Sequence, residues 1–203
     1  MKNNYHYYQE TQEDLHSNPA KFDFYFQDEH FTFHTDDGVF SKGYIDYGSY
    51  ALLKAFVPPS LDGCILDMGA GYGPIGIVLA RLYKKEISFC EINERAYGLL
   101  LKNIKENHIE HAHPYHSNLY EALDSSIEFA CIVTNPPIRA GKQTVFAIYE
   151  GAFQQLKKNG ELWVVIQKKQ GAPSSKEYIT QLFGNCCIVA RDKGYYILKA
   201  IKY

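Results

Sequence analysis

Asn135, Pro136 and Pro137 follow directly on a short apolar run, FACIVT (129–134). Neither proline has an N–H to donate, so strand pairing must stop there. A residue that precedes a proline is pushed towards extended angles, which keeps Asn135 out of a helix. The result is a rigid amide at the mouth of a strand. Its side-chain oxygen and the Pro136 carbonyl are two fixed acceptors, a pair that suits the two hydrogens of an exocyclic amine. Such a nitrogen is a poor nucleophile, because its lone pair is delocalised into the ring. Acceptors that hold both hydrogens can aim the lone pair and stabilise the positive charge that develops during attack. No general base is needed before the attack. Asn-Pro-Pro in an arbitrary protein is more often a plain turn, so its company matters.

The company is a glycine-rich turn, LDMGAGYGPIG (66–76). It has two registers. Gly71, Gly73 and Gly76 satisfy G-x-G-x-x-G, with Glu91 about 20 residues further on, as in a dinucleotide site. One step earlier, Asp67-x-Gly69-x-Gly71-x-Gly73 resembles the nucleotide loop of class I S-adenosylmethionine enzymes. The charge on Asp67 favours the second. A carboxylate at the strand's end repels a pyrophosphate but suits a ligand that brings a sulfonium and an ammonium. Glu91, which ends the second strand, suits two ribose hydroxyls in either register. Asn118, just past the third strand, is placed to hydrogen-bond an adenine edge.

These residues need a scaffold, and the rest of the chain describes one. KFDFYF and FTFHT alternate with a period of two on either side of QDEH, which predicts a hairpin. GSYALLKAF has helical spacing and stops at Pro58–Pro59. Short buried strands then alternate with helices: CILDM, GIVLARLY, ISFCEI, ERAYGLLLKNIKEN, AHPYHS, FACIVT, TVFAIYEGAFQQLKK ended by Asn159–Gly160, ELWVVIQ and SSKEYITQLF. Alternation of this kind implies right-handed crossovers and a mostly parallel sheet with helices on both faces. CCIVAR and GYYILKAIKY, separated by Asp192-Lys193-Gly194, must pair antiparallel.

The chain has 203 residues, 46% hydrophobic and 22% charged, with a formal charge of −2. That is ordinary for a globular protein and long enough for one sizeable core, so residues 1–203 are expected to form a single domain. The charge argues against non-specific grip on nucleic-acid backbone as the main activity. The pairs Lys84–Lys85, Lys157–Lys158 and Lys168–Lys169 read first as solvated faces. No apolar run approaches the roughly 18 residues of a membrane helix, and MKNNYHYYQE lacks the apolar core of a secretory signal. Cytoplasmic residence without membrane association is the expectation. The five cysteines form no C-x-x-C and read as buried reduced thiols. His108, His111, His113 and His116 have no recognisable ligand spacing, so no metal is expected.

Taken together, DDGVFSKGYIDYGSYALL (36–53), ILDMGAGYGPIGI (65–77), NPPIRAGK (135–142) and GELWVV (160–165) resemble the RsmC-like methyltransferases that modify guanine N2 in 16S ribosomal RNA. The resemblance implies a Rossmann-like α/β fold with a seven-stranded sheet and an antiparallel last strand, here as residues 37–203, preceded by a β-hairpin extension (1–36). It also implies S-adenosyl-L-methionine as cofactor and ribosomal RNA or the small ribosomal subunit as partner. Residue by residue, Asp67, Gly69, Gly71, Gly73, Glu91 and Asn118 would hold the cofactor, and Asn135, Pro136 and Pro137 the target amine. Phe40, Ser41, Asp46 and Gly48 would neighbour the methionine end and the entering base, with Asp46 on the cofactor side and Phe40 on the substrate side. Ile138 stands where amino-methylating relatives usually carry an aromatic residue that stacks the base. Phe40 or Tyr44 is then a candidate platform, and Arg139 a candidate to stack or meet a phosphate. The same device could serve a protein amide or a small-molecule amine. A non-catalytic cofactor or RNA-binding module and a nicotinamide enzyme are the other readings.

Overall fold

The computed structural model describes residues 16–203. The first 15 residues of the expected extension, including the stretch read for a secretory signal, lie outside the described residues. The hairpin is formed by β1 (Ala20–Phe26) and β2 (Glu29–Thr35), paired antiparallel from Ala20–Thr35 to Phe26–Glu29. After α1 (Tyr47–Ala55) come β3 (Ile65–Met68), α2 (Pro74–Tyr83), β4 (Ile87–Glu91), α3 (Glu94–Glu106), β5 (Ala112–His116) and β6 (Phe129–Thr134). Then follow α4 (Lys142–Gln155), β7 (Leu156–Gln167), α5 (Ala172–Phe183), β8 (Cys187–Asp192) and β9 (Tyr195–Ile201).

Seven strands form one sheet in the order β5-β4-β3-β6-β7-β9-β8, with β9 antiparallel to both neighbours. The buried strands use both faces, as a covered parallel sheet requires. Ile65, Cys131, Val133, Trp163 and Val165 face a core shared with α1, α2, α3 and the hairpin. Leu66, Met68, Ile132, Leu162 and Val164 face a second core under α4 and α5. The strand order reverses between β3 and β6, both of which carry sequence-predicted site residues at their carboxyl ends. Crevices at such reversals are where open α/β sheets bind ligands.

The hairpin is tied down by two asparagines one helical turn apart. Asn103 accepts from the His34 amide at 2.7 Å and donates to the His34 carbonyl at 3.0 Å. Asn107 does the same to Thr32, at 3.0 and 2.8 Å. The i, i+4 spacing of α3 thus matches the two-residue repeat of β2, and side-chain amides take the place of a neighbouring strand. Asn103 also donates to the Tyr72 carbonyl at 2.9 Å, which joins hairpin, helix and glycine turn at one residue.

Two expectations are corrected. The helix expected to run to Asn159–Gly160 ends at Gln155, and Leu156 is already extended. Lys157, Lys158, Asn159 and Gly160 belong to β7, as an irregular stretch where the register with β6 shifts. The Asn159 amide donates to Lys202 O and the Lys202 amide to Gly160 O, so the segment's polar groups are satisfied by the last strand's end. Helical composition is overridden by these pairings. Of the five cysteines, all free, Cys90 and Cys131 are buried, but Cys64 and Cys186 are partly exposed, and Cys187, on the edge strand β8, is exposed. Among the described residues, no helix is long and apolar enough to cross a membrane.

Candidate active site

A cavity of about 280 Å³ opens at the carboxyl ends of β3, β4 and β6. The turn after β3 forms its floor. Gly69 and Gly71 adopt φ of 73° and 59°, and a Cβ on either would meet no atom within 4 Å. Their bare backbones therefore face open space, which is what close approach of a ligand needs. Gly76 is glycine for a different reason. A Cβ there would lie 2.3 Å from the Phe89 ring, so it packs α2 on β4. Gly73 caps α2, and its Cβ position is filled by Leu100 and Ile77. Neither Gly73 nor Gly76 reaches the cavity wall.

Glu91 stands on the wall at the end of β4 and is buried. Its Oε2 accepts from the Gly71 amide at 2.7 Å and its Oε1 from the Asn93 amide at 2.8 Å. Burial pushes its carboxyl pKa up, and these amides hold it partly down. Asn118 is also on the wall, exposed, and donates to Glu121 at 2.8 Å.

Asp67 sits elsewhere than its motif position suggests. It is 1% exposed and lies behind the turn, not on the wall. Its Oδ2 accepts from the Gly76 amide at 2.8 Å, while its Oδ1 has no hydrogen-bond partner among the described residues. Burial, with Glu91 nearby, pushes its carboxyl up to about 7. Asp67 thus locks the turn against α2. Discrimination against a pyrophosphate falls to the wall itself, which carries the carboxylates of Glu91 and Asp46 and, among the described residues, no lysine, arginine or histidine. Bare glycine backbone, two carboxylates and no described cation on the wall fit S-adenosylmethionine, which brings positive charge and no phosphate.

The opposite wall holds the amide. The Asn135 side-chain nitrogen donates to Asp46 Oδ1 at 3.2 Å and to Ser49 Oγ at 3.1 Å. A carboxylate can only accept, so the NH₂ end must face Asp46 and the side-chain oxygen must point away from it. Asp46 is itself fixed as the N-cap of α1, accepting from the Ser49 amide at 3.1 Å. Below, Thr134 Oγ1 donates to the Met68 carbonyl at 2.8 Å and pins the end of β6 to β3. Pro136 and Pro137 complete this wall. Ile138 and Arg139 do not reach it: Ile138 packs against the second core and Arg139 points outward, exposed, in the short turn 138–140. Phe40 is on the wall with its ring 41% exposed. Gly48 is packed against the Tyr195 ring, 2.9 Å from where a Cβ would sit.

Some wall residues had not been singled out from sequence. Ser49 shares the Asn135 amide, and Tyr72 donates its hydroxyl to the Tyr44 carbonyl at 2.9 Å, tying the 37–46 loop over the cavity. Ser49 could have been found as the third residue after an N-cap aspartate. Tyr72 carried no signal beyond its place between two glycines. Of the clustered histidines, His113 pairs with Glu86 at 2.6 Å and His116 donates to the Ile92 carbonyl at 2.8 Å.

A β5-β4-β3-β6-β7-β9-β8 sheet, with a glycine turn after β3 and a fixed Asn-Pro-Pro after β6, defines a Rossmann-like methyltransferase. The comparisons agree: the methyltransferase small domain profile matches residues 30–199, and the chain belongs to that family. The Bacillus subtilis protein YbxB is 48% identical over 97% of this chain and 98% of its own length. Ribosomal RNA small subunit methyltransferase C of Vibrio cholerae is 31% identical over 87% of this chain and 51% of its own. The T. thermophilus 16S rRNA N2 methyltransferase RsmC, solved in complex with AdoMet and guanosine, superimposes with a TM-score of 0.82 at 29% identity, over 91% of this chain and 51% of that one. The chain spans about half the length of these ribosomal RNA methyltransferases.

Proposed function

We propose that this protein transfers a methyl group from S-adenosylmethionine to an exocyclic amine, guanine N2 of 16S ribosomal RNA, as a single catalytic domain acting in the cytoplasm on RNA or the small subunit. The observation that carries the reading is the orientation of Asn135. Its NH₂ is held by Asp46 and Ser49, so its oxygen is committed to accept from whatever enters the cavity. The Pro136 carbonyl is the second acceptor. The cofactor, when bound, supplies an electrophilic methyl on a sulfonium. Asn135 and Pro136 take the two amine hydrogens, aim the nitrogen lone pair, and stabilise charge as the nitrogen becomes positive. Gly69 and Gly71 let the nucleoside approach the backbone, Glu91 takes the ribose hydroxyls and Asn118 the adenine. Asp67 acts on this set from behind, through the Gly76 amide.

An exocyclic amine inside a duplex is out of reach, so the base must be unpaired or flipped. With Ile138 packed against the second core and off the cavity wall, the exposed ring on the wall that can stack it is Phe40. The ribosomal RNA methylation for which the T. thermophilus and V. cholerae proteins are named supports ribosomal RNA as substrate.

The test is transfer of labelled methyl to deproteinised 16S RNA and to isolated small subunits, both from cells lacking the protein, with Asn135→Ala as control. Label at guanine N2, lowered about 100-fold in the variant (about 2.7 kcal/mol of barrier) with cofactor affinity near normal, is expected. Cofactor binding without label on either RNA substrate overturns the assignment.

A further inference from the structure

The carboxyl edge of the sheet is divided by charge. The β5-β4-β3 half holds the glycine turn, Glu91 and Asn118, and its cation, Arg95 at the start of α3, is turned to Asp36 and the Asp37 carbonyl. The other half carries Arg139 and Lys142 after β6, Lys168 and Lys169 after β7, and Lys193 in the turn between β8 and β9. These cations follow the ends of β6, β7 and β8, on the side of the sheet that carries Asn135. The Lys168 amide donates to the Gly194 carbonyl at 2.7 Å, which sets the end of β7 against the β8–β9 turn. Lys193 Nζ lies 4.6 Å from the centre of the Tyr47 ring, and Tyr47 follows Asp46, the acceptor that holds Asn135. On the other side, Arg139 is two residues past Pro137, and Lys142 Nζ lies 4.9 Å from the Phe146 ring centre. Of the carboxylates nearby, Asp192 is taken up by Lys54 at 2.7 Å and Asp46 accepts from the Ser49 and Asn135 amides. Lys168, Lys169 and Lys193 are exposed and enter no ion pair among the described residues. Tyr44, 61% exposed, lies on the loop that Tyr72 holds and that carries Phe40 to the cavity wall.

We propose that these cations grip the phosphates of the nucleotides flanking the target base, with Tyr44 as a stacking face for a neighbour. The inference rests on the function proposed above and names the surface through which that site meets its RNA. A net charge of −2 gives the protein no general affinity for polyanions, so the concentration of cations on the amine-accepting half is what counts. Cations interleaved with an exposed aromatic ring are the pattern of single-strand binding. Contacts of this kind set position and register, and leave base identity to the cavity.

The triple variant Lys168→Gln/Lys169→Gln/Lys193→Gln tests it, since none of the three touches the cavity. RNA affinity is measured against salt by anisotropy, alongside cofactor affinity and methyl transfer. Each phosphate contact on a single strand contributes about 0.7 to the slope of log affinity against log salt. Three lost contacts lower the slope by about 2, so that between about 50 and about 200 mM salt the native protein loses roughly 20-fold more affinity than the variant. Cofactor affinity stays as in the native protein. An unchanged slope and unchanged KM for RNA overturn the surface while leaving the proposed function standing. A lowered slope with no methyl transfer by the native protein upholds the surface and sinks the function. Competition by polyglutamate as strong as by RNA of equal charge overturns RNA as the partner.

Discussion

Asn135→Asp changes one atom in the site and tests the arrangement around it. The native amide nitrogen lies 3.2 Å from Asp46 Oδ1. In the variant an oxygen takes its place and two carboxylates face each other at about that distance. At an effective dielectric of ~20, unit charges ~3.2 Å apart repel by about 5 kcal/mol. At about 1.4 kcal/mol per tenfold in proton affinity, the pair keeps one shared proton to roughly neutral pH or a little above. While that proton is present the hydrogen bond to Asp46 persists, and the second oxygen of the substituted side chain still accepts from the amine. Single-turnover methyl transfer at saturating cofactor and RNA, from about pH 6 to about pH 9, reads the consequence. Near pH 6 the variant should work within about tenfold of the native enzyme, one neutral hydrogen bond being worth about 1 kcal/mol. As the shared proton leaves, the wall opens and the rate falls towards that of Asn135→Ala, about 100-fold down. The native profile lacks this fall. A variant profile parallel to the native one at all pH values refutes the role given to the Asp46–Asn135 contact.

Phe40→Ala should raise the KM for RNA by roughly 5- to 100-fold, the equivalent of one lost base stack, with cofactor affinity unchanged; Phe40→Trp should restore it, and equal KM values for all three proteins remove Phe40 from the substrate side. Asp67 predicts a pH dependence of stability. Its folded carboxyl, raised to about 7 from the ordinary aspartate range, holds its proton more tightly than the unfolded chain does. Its contribution is therefore full below about pH 4 and is lost as pH rises through about 7, a slope that urea titrations should find in the native protein and find flattened in Asp67→Asn. Asn103→Leu strands buried polar groups on His34 and Tyr72, at about 1–3 kcal/mol for each donor or acceptor left unsatisfied; hydrogen exchange should show β2 and the glycine turn opening together, and faster exchange in β2 alone would separate them.

Sequence alone determined much of this protein, because its strongest signals are local. The period-two hairpin, the alternation of short buried strands with helices, and the terminal antiparallel pair follow from side-chain periodicity and turn chemistry. Asn135-Pro136-Pro137 and the glycines announce themselves through backbone restriction, whereas Asp46 was marked only by the resemblance of its segment to a known family. The physics in each case acts within a few residues.

What the tertiary structure decided is where side chains point once distant segments meet. Asp67 and Glu91 look alike in the motif, yet one is sealed behind the turn and the other stands on the wall, because only the packing of α2 on β3 and β4 sets the depth of each strand end. The end of α4 is set by pairing of Leu156–Gly160 with chain more than 25 residues away on one side and 40 on the other, by number in the sequence, which no local propensity records. Whether Ile138 or Phe40 meets a base depends on which of them the second core absorbs. The contact that orients the amide joins residues 89 apart in sequence. Hydrogen bonds of that span are invisible to spacing rules, since chain closure, not periodicity, brings their partners together.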